Sequence, residues 1–158
     1  MKYLCQVPER GLSCVGCCKI DVHNKIDDLI VEIEENTQEY TQFKKENSQI
    51  QKYFNRGENI DRESGLCSLL IFLDDTKKRV GCPAHPFMND GIDYRKMFNI
   101  CYAQYDCCEA TKSFRRLEEE GQGRALGILE KRYAGDWIGF SMDMEKGRTM
   151  EIFDRIRI

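Results

Sequence analysis

No long apolar run occurs in this chain; the longest, Leu69-Leu70-Ile71-Phe72-Leu73, falls far short of a membrane span of roughly 20 residues. The start, Met1-Lys2-Tyr3-Leu4-Cys5-Gln6, lacks the apolar core of a signal peptide. Together these absences predict a cytoplasmic protein with no membrane partner. Nor is there a block of lysine or arginine. The 24 basic and 27 acidic residues are well mixed, net charge is −3, and no nucleic-acid partner is expected. A phosphate loop, a glycine-rich dinucleotide turn and a nucleophile elbow are all missing. Asp143, Glu145 and the other carboxylates form no acid–base pair, so no catalytic residue is assigned. Trp137 is the single tryptophan and is expected in the core rather than as a stacking platform. Internal repeats and low-complexity stretches are absent too.

Cysteine, by contrast, is abundant. There are nine in 158 residues, and Cys14, Cys17 and Cys18 crowd into one short run. The Cys-x2-Cys gap lets Cys14 and Cys17 curl round one ion, with Gly16 easing the turn, while Cys18 is free to approach from another angle or bridge to a second ion. A second ligand region holds Cys67, Cys82 and His85, and a third holds Cys101, Cys107 and Cys108. In a reducing compartment such thiols are metal ligands or redox groups more often than disulfides. The odd count and the adjacent pairs Cys17-Cys18 and Cys107-Cys108 argue the same way. One tetrahedral ion needs four ligands, so either two ions are bound or several thiols sit idle. His85 favours zinc over an iron–sulfur cluster or iron. Cys5 and His23 are left open as ligands.

The composition, 41% hydrophobic and 32% charged, fits a single globular domain over 1–158. Residues 1–110 form its cysteine-cluster part and 111–158 a helical C-terminal extension. The expected fold is mainly α, with a small irregular and β-hairpin metal-binding region. Residues 1–19 read as an irregular metal-knuckle segment. Ile26, Leu29, Ile30, Ile33, Thr37, Tyr40, Phe43, Ile50 and Phe54 mark one face of a long helix, or of two helices meeting near Asn36-Thr37, with Asn24 as its cap and Gly57 as its end. A hairpin over Leu69–Cys82, turning at Asp74-Asp75-Thr76-Lys77-Lys78, would bring Cys67 beside Cys82. Pro83 and Pro86 forbid a helix through Cys82–Pro86 and hold Cys82 and His85 on a stiff loop. A helix is predicted from Tyr94 to Glu109 and another capped by Thr111. The run Gly121-Gln122-Gly123 is expected to interrupt the helical pattern, which Gly135 closes. Asp136 and Thr149 are read as caps of two short final helices.

With these residues assembled, the chain resembles the YkgJ-type cysteine-cluster family, described as zinc- or iron-chelating, over roughly residues 11–108. Ser13-Cys14-Val15-Gly16-Cys17-Cys18 is similar to the second half of the family's C-x2-C-x2-C-C opening. Leu66-Cys67-Ser68-Leu69, Gly81-Cys82 and Cys101-Tyr102-Ala103-Gln104 are similar to its later single cysteines. Two departures stand out. The family's first cysteine falls at Gly11, so Cys5 or a late thiol would have to replace it. His85-Pro86-Phe87-Met88 stands where the family has R-P-x-x-C, which makes His85 a natural replacement ligand. The resemblance implies metal chelation and little about mechanism. The expectation is a metal-binding protein holding one or two zinc ions through Cys14, Cys17, Cys18, Cys67, Cys82, His85, Cys101, Cys107 and Cys108, the metal being structural. Alternatives are an iron–sulfur redox or electron-transfer protein, and a metal-stabilised adaptor that binds a protein partner through the helix of residues 24–56.

Overall fold

A computed structural model describes residues 3–18, 26–45, 50–54, 65–100 and 108–157. Among these the architecture is mainly helical, with two small two-stranded antiparallel sheets. In the first sheet β1 (Gln6–Val7) pairs with β2 (Leu12–Ser13), and a 3-10 turn at Pro8–Arg10 joins them. Gly11 ends that turn at φ 65°, a left-handed conformation glycine adopts without steric cost. The expected irregular N-terminal segment therefore contains a hairpin.

Helix α1 (Ile26–Lys45) runs unbroken through Asn36-Thr37, settling that alternative. Leu29 and Ile33 are buried on its inner face. Thr37 donates its hydroxyl to the Ile33 carbonyl at 2.6 Å and accepts the Phe72 amide at 2.9 Å. A residue that looked like a break is thus the point where the second sheet docks on the helix. Helix α2 (Ile50–Phe54) follows, and the expected terminal residues Asn24 and Gly57 lie outside the described residues.

The second hairpin forms as expected: β3 (Ile71–Phe72) pairs with β4 (Val80–Gly81). Pro86 opens a 3-10 turn to Met88, a position where its missing N–H costs nothing. Helix α3 (Tyr94–Met97) is much shorter than the predicted helix to Glu109. Asn99 at φ 52° turns the chain left-handed and the Ile100 amide returns to the Arg95 carbonyl at 3.1 Å, closing the helix, while residues 101–107 of the predicted span lie outside the described residues. Helix α4 (Glu109–Arg115) starts one turn earlier than its predicted cap, with Cys108 at the N-cap and Thr111 inside.

Helix α5 (Glu119–Tyr133) passes straight through Gly121 and Gly123, correcting the expected interruption. A Cβ at Gly121 would stand 3.3 Å from Ile156 and 3.4 Å from Leu117, so this glycine permits close packing rather than a break. Gly135 does terminate the helix, at φ 78°. Asp136 caps α6 (Trp137–Glu145) by accepting the Gly139 amide at 2.8 Å. Helix α7 (Arg148–Ile156) begins after Gly147 at φ 73°, so Thr149 lies in its first turn and is not its cap. Trp137 is buried, as expected.

The core falls into three neighbouring clusters. Leu4 and Leu12 of the first hairpin pack with Phe114, Leu129, Phe140 and Phe153 of α4 to α7. Val15 joins Leu29, Ile33, Leu70, Val80 and Trp137. Tyr53, Phe54, Leu69, Cys82, Ala84 and Ile100 form the third. Among the described residues no helix is long and apolar enough to cross a membrane.

Candidate metal centre

Both hairpins place their cysteines immediately beyond the paired residues. The Cys14 amide donates to the Cys5 carbonyl at 2.8 Å, extending the first ladder by one step. After Cys14 the chain turns sharply, with the Cys18 amide on the Val15 carbonyl at 2.7 Å. Val15 is buried and its amide donates to the Ser141 hydroxyl at 2.9 Å, which anchors the turn to α6. A Cβ on Gly16 would meet Glu145 at 3.1 Å, so a side chain there would push the turn off its support.

The Cys67 amide donates to the Cys18 carbonyl at 2.9 Å and binds the second region to the first. Asn36, fully buried, holds that corner by donating to the carbonyls of Cys67 and Leu70 at 3.2 and 2.9 Å. A Cβ on Gly81 would come within 2.9 Å of Gln6 Oε1, and this close approach of the two hairpins carries Cys82 towards Cys5.

The result is one apolar cavity of about 50 Å³ lined by Cys5, Cys14, Cys17, Cys18, Cys67, Cys82 and Cys108, together with His85. All seven described cysteines carry thiols rather than disulfides. The space exceeds the roughly 10–15 Å³ that a single water requires. Among the described residues, however, no group of three or more histidine, cysteine or acidic side chains is arranged to hold an ion as it stands. Cys101, Cys107 and His23 lie outside the described residues.

The thiols do not ionise independently. Cys17 hydrogen-bonds to Cys108, and this is the chief reason that the Cys108 thiol is pushed down and the Cys17 thiol up. The Thr111 hydroxyl, 3.4 Å from Cys108, and the amides of Ala110 and Thr111 add to the stabilisation of a Cys108 thiolate, against its burial. Burial above all pushes Cys14 up to about 12, with the charges of Cys108 and Glu145 adding. A thiolate at Cys108 thus opposes ionisation of Cys17 and adds to the burial that opposes ionisation of Cys14. An entering cation would reverse that balance by displacing protons from several sulfurs at once.

His85 is 2% exposed. Burial, then the nearby Arg95 charge, pushes it down to about 3, so it is neutral, the form in which imidazole serves as ligand or neutral donor. Arg95 lines the same cavity, and Asp93 grips it at 2.8 and 2.9 Å, outweighing the cost of its burial and raising its pKa. Tyr3 stacks under the guanidinium groups of Arg95 and Arg115 at 5.3 and 5.1 Å, with its ring edge-on to His85 at 4.7 Å.

Of the sequence-predicted site residues, Cys14, Cys17, Cys18, Cys67, Cys82, His85 and Cys108 therefore share one cavity. Cys5, left open by the sequence, joins them. Tyr3, Arg95 and Thr111 were not anticipated. Only the Asp93-x-Arg95 spacing hinted at a locally held arginine, and nothing in the sequence tied it to the thiols. No family model, curated protein or solved structure matches the chain.

Proposed function

We propose that this protein binds metal through a thiolate centre built from the cavity cysteines, with zinc as the resident ion and one or two ions per chain. One observation carries the reading: seven thiols from chain stretches as far apart as Cys5 and Cys108 line a single cavity. Scattered structural cysteines have no reason to converge in this way. The resemblance to YkgJ-type cysteine-cluster proteins points in the same direction. In this reading the ion ties together two hairpins and the start of α4, and its role is structural. Binding at such sites is coupled to folding, with about 10 kcal/mol or more typical of small zinc modules.

The predominance of thiols in the lining supports a second reading, an iron–sulfur cluster held by cysteine thiolates. Anaerobic purification followed by elemental analysis and a visible spectrum separates the two. Colourless protein with one or two zinc ions per chain is the expected result. Brown protein with iron and sulfide would assign the cluster. Metal-free protein whose thiols all react under native conditions would remove both readings.

A further inference from the structure

We propose that His85 serves the thiolate centre as a hydrogen-bond donor, with its Nε2–H directed at a thiolate sulfur, and not as a ligand to the ion. The assignment rests on the metal-centre reading above and concerns one residue of it.

The tautomer decides the matter. The Phe87 amide donates to His85 Nδ1 at 3.3 Å, so Nδ1 offers a lone pair and the single proton of a neutral imidazole sits on Nε2. A ligand needs the opposite arrangement. If Nε2 held an ion, the proton would move to Nδ1 and face the Phe87 N–H, setting two donors against each other.

Nε2 itself is buried and has no hydrogen-bond partner, an expensive condition for a donor. The ring is held by its neighbours, edge-on to Tyr3 at 4.7 Å and tilted against Phe87 at 5.6 Å. Its loop is stiffened by Pro83 and Pro86, and by Asn89, which donates to the Pro83 and His85 carbonyls at 2.6 and 2.9 Å. Turning the ring over would forfeit the Phe87 bond.

The side-chain acceptors on these walls are the sulfurs, the hydroxyls of Tyr3 and Thr111, and Gln6 Oε1, which is also buried without a partner. A thiolate is the stronger acceptor because its charge assists the bond. Such a donor draws charge off the sulfur, as the neighbouring Arg95 does through space.

Nuclear magnetic resonance of the full chain, loaded with cadmium-113 and labelled with nitrogen-15 at histidine, tests this. Expected are the neutral Nε2–H tautomer at His85 and a coupling between that proton and cadmium, transmitted through sulfur. A direct bond from Nε2 to cadmium overturns the proposal, as does an Nε2–H without any coupling to the metal, which would place the donor on an oxygen of the cavity wall. His85→Ala should keep the metal stoichiometry and release the ion about tenfold faster to a chelator, and His85→Gln, retaining an N–H, should lie closer to wild type. Loss of one ion in both variants also overturns it. If the alanine variant does not fold, the wild-type spectra decide. A chain that takes up no cadmium defeats the metal reading and the assignment that rests on it, whereas cadmium held with a direct Nε2 bond, or with no coupling to Nε2–H, overturns the His85 assignment alone.

Discussion

Cys5 and Cys14 face each other across the first hairpin, joined by the Cys14 amide on the Cys5 carbonyl at 2.8 Å. The paired residues Gln6–Ser13 and Val7–Leu12 set this register, and directly opposed residues of an antiparallel pair project to the same face. Cys5 therefore stands beside the Cys14-x2-Cys17 turn without belonging to its sequence motif. Gly11, where a ligand would fall in the cysteine-cluster pattern, is instead used by the left-handed end of the connecting turn.

Replacing Cys5 by serine should accordingly weaken metal retention nearly as much as replacing Cys14. Loss of a partner one shell out from a metal already costs about 10–100-fold in affinity, and loss of a thiolate ligand should reach the upper end or beyond. Competition with a chelator, followed by elemental analysis, checks it. Retention equal to wild type would place Cys5 outside the shell.

Chelation should loosen the molecule unevenly. Residues 65–88 reach the centre through short strands and a proline loop, whereas α5, α6 and α7 close on one another through Leu129, Phe140 and Phe153. Amide exchange after metal removal should therefore accelerate over β3, β4 and the Cys82–Met88 loop, with α5 and α7 keeping most of their protection. Uniform acceleration along the chain would refute a metal-dependent part standing against a metal-independent one.

His85 supplies a pH dependence whose sign follows from its burial. Its folded pKa of about 3 lies below the ordinary 6.5, so between these values the unfolded chain carries a proton that the folded one does not. Stability from this group is complete above pH 6.5 and declines as pH falls towards 3, by about 1.4 kcal/mol per pH unit at most. Denaturant midpoints at pH 7 and pH 5 should separate less in His85→Gln than in wild type. Thiolate protonation acts in both chains, and the difference isolates the imidazole. Equal separations would show that His85 titrates normally.

Asp143 is the control, because it does not line the thiol cavity. Its carboxylate is 7% exposed and accepts from Tyr133, Arg132 and Arg148, the last two at 3.1 Å each, joining α5, α6 and α7. Asp143→Ala strands the buried Tyr133 hydroxyl and should cost about 1–3 kcal/mol of stability while leaving metal content unchanged. Thermal unfolding and elemental analysis together test both halves.

Local chemistry was legible in the sequence. Three- and four-residue apolar spacing announced α1, the polar run after Leu73 announced the β3–β4 turn, Asp136 announced a cap, and two prolines announced a stiff, non-helical loop. Each depends on a residue and its near neighbours, and so does the expectation that so many thiols serve a metal. Contacts between distant stretches decided the rest. Gly121 was read as a break because glycine disfavours isolated helices, yet packing against Ile156 of α7 makes its missing side chain an advantage. Asn99 ended α3 early by adopting a conformation its spacing did not signal. The arrival of Cys5, Arg95 and Cys108 at one cavity likewise follows from the meeting of distant stretches, whereas the Phe87 amide on His85 Nδ1 is a local capping bond two residues away. Residue types therefore determined what chemistry this protein can perform, because ligand preference belongs to side chains. Which of those side chains meet, only the packing of the two hairpins against the helices decided, because the sulfurs come from stretches that the sequence holds far apart.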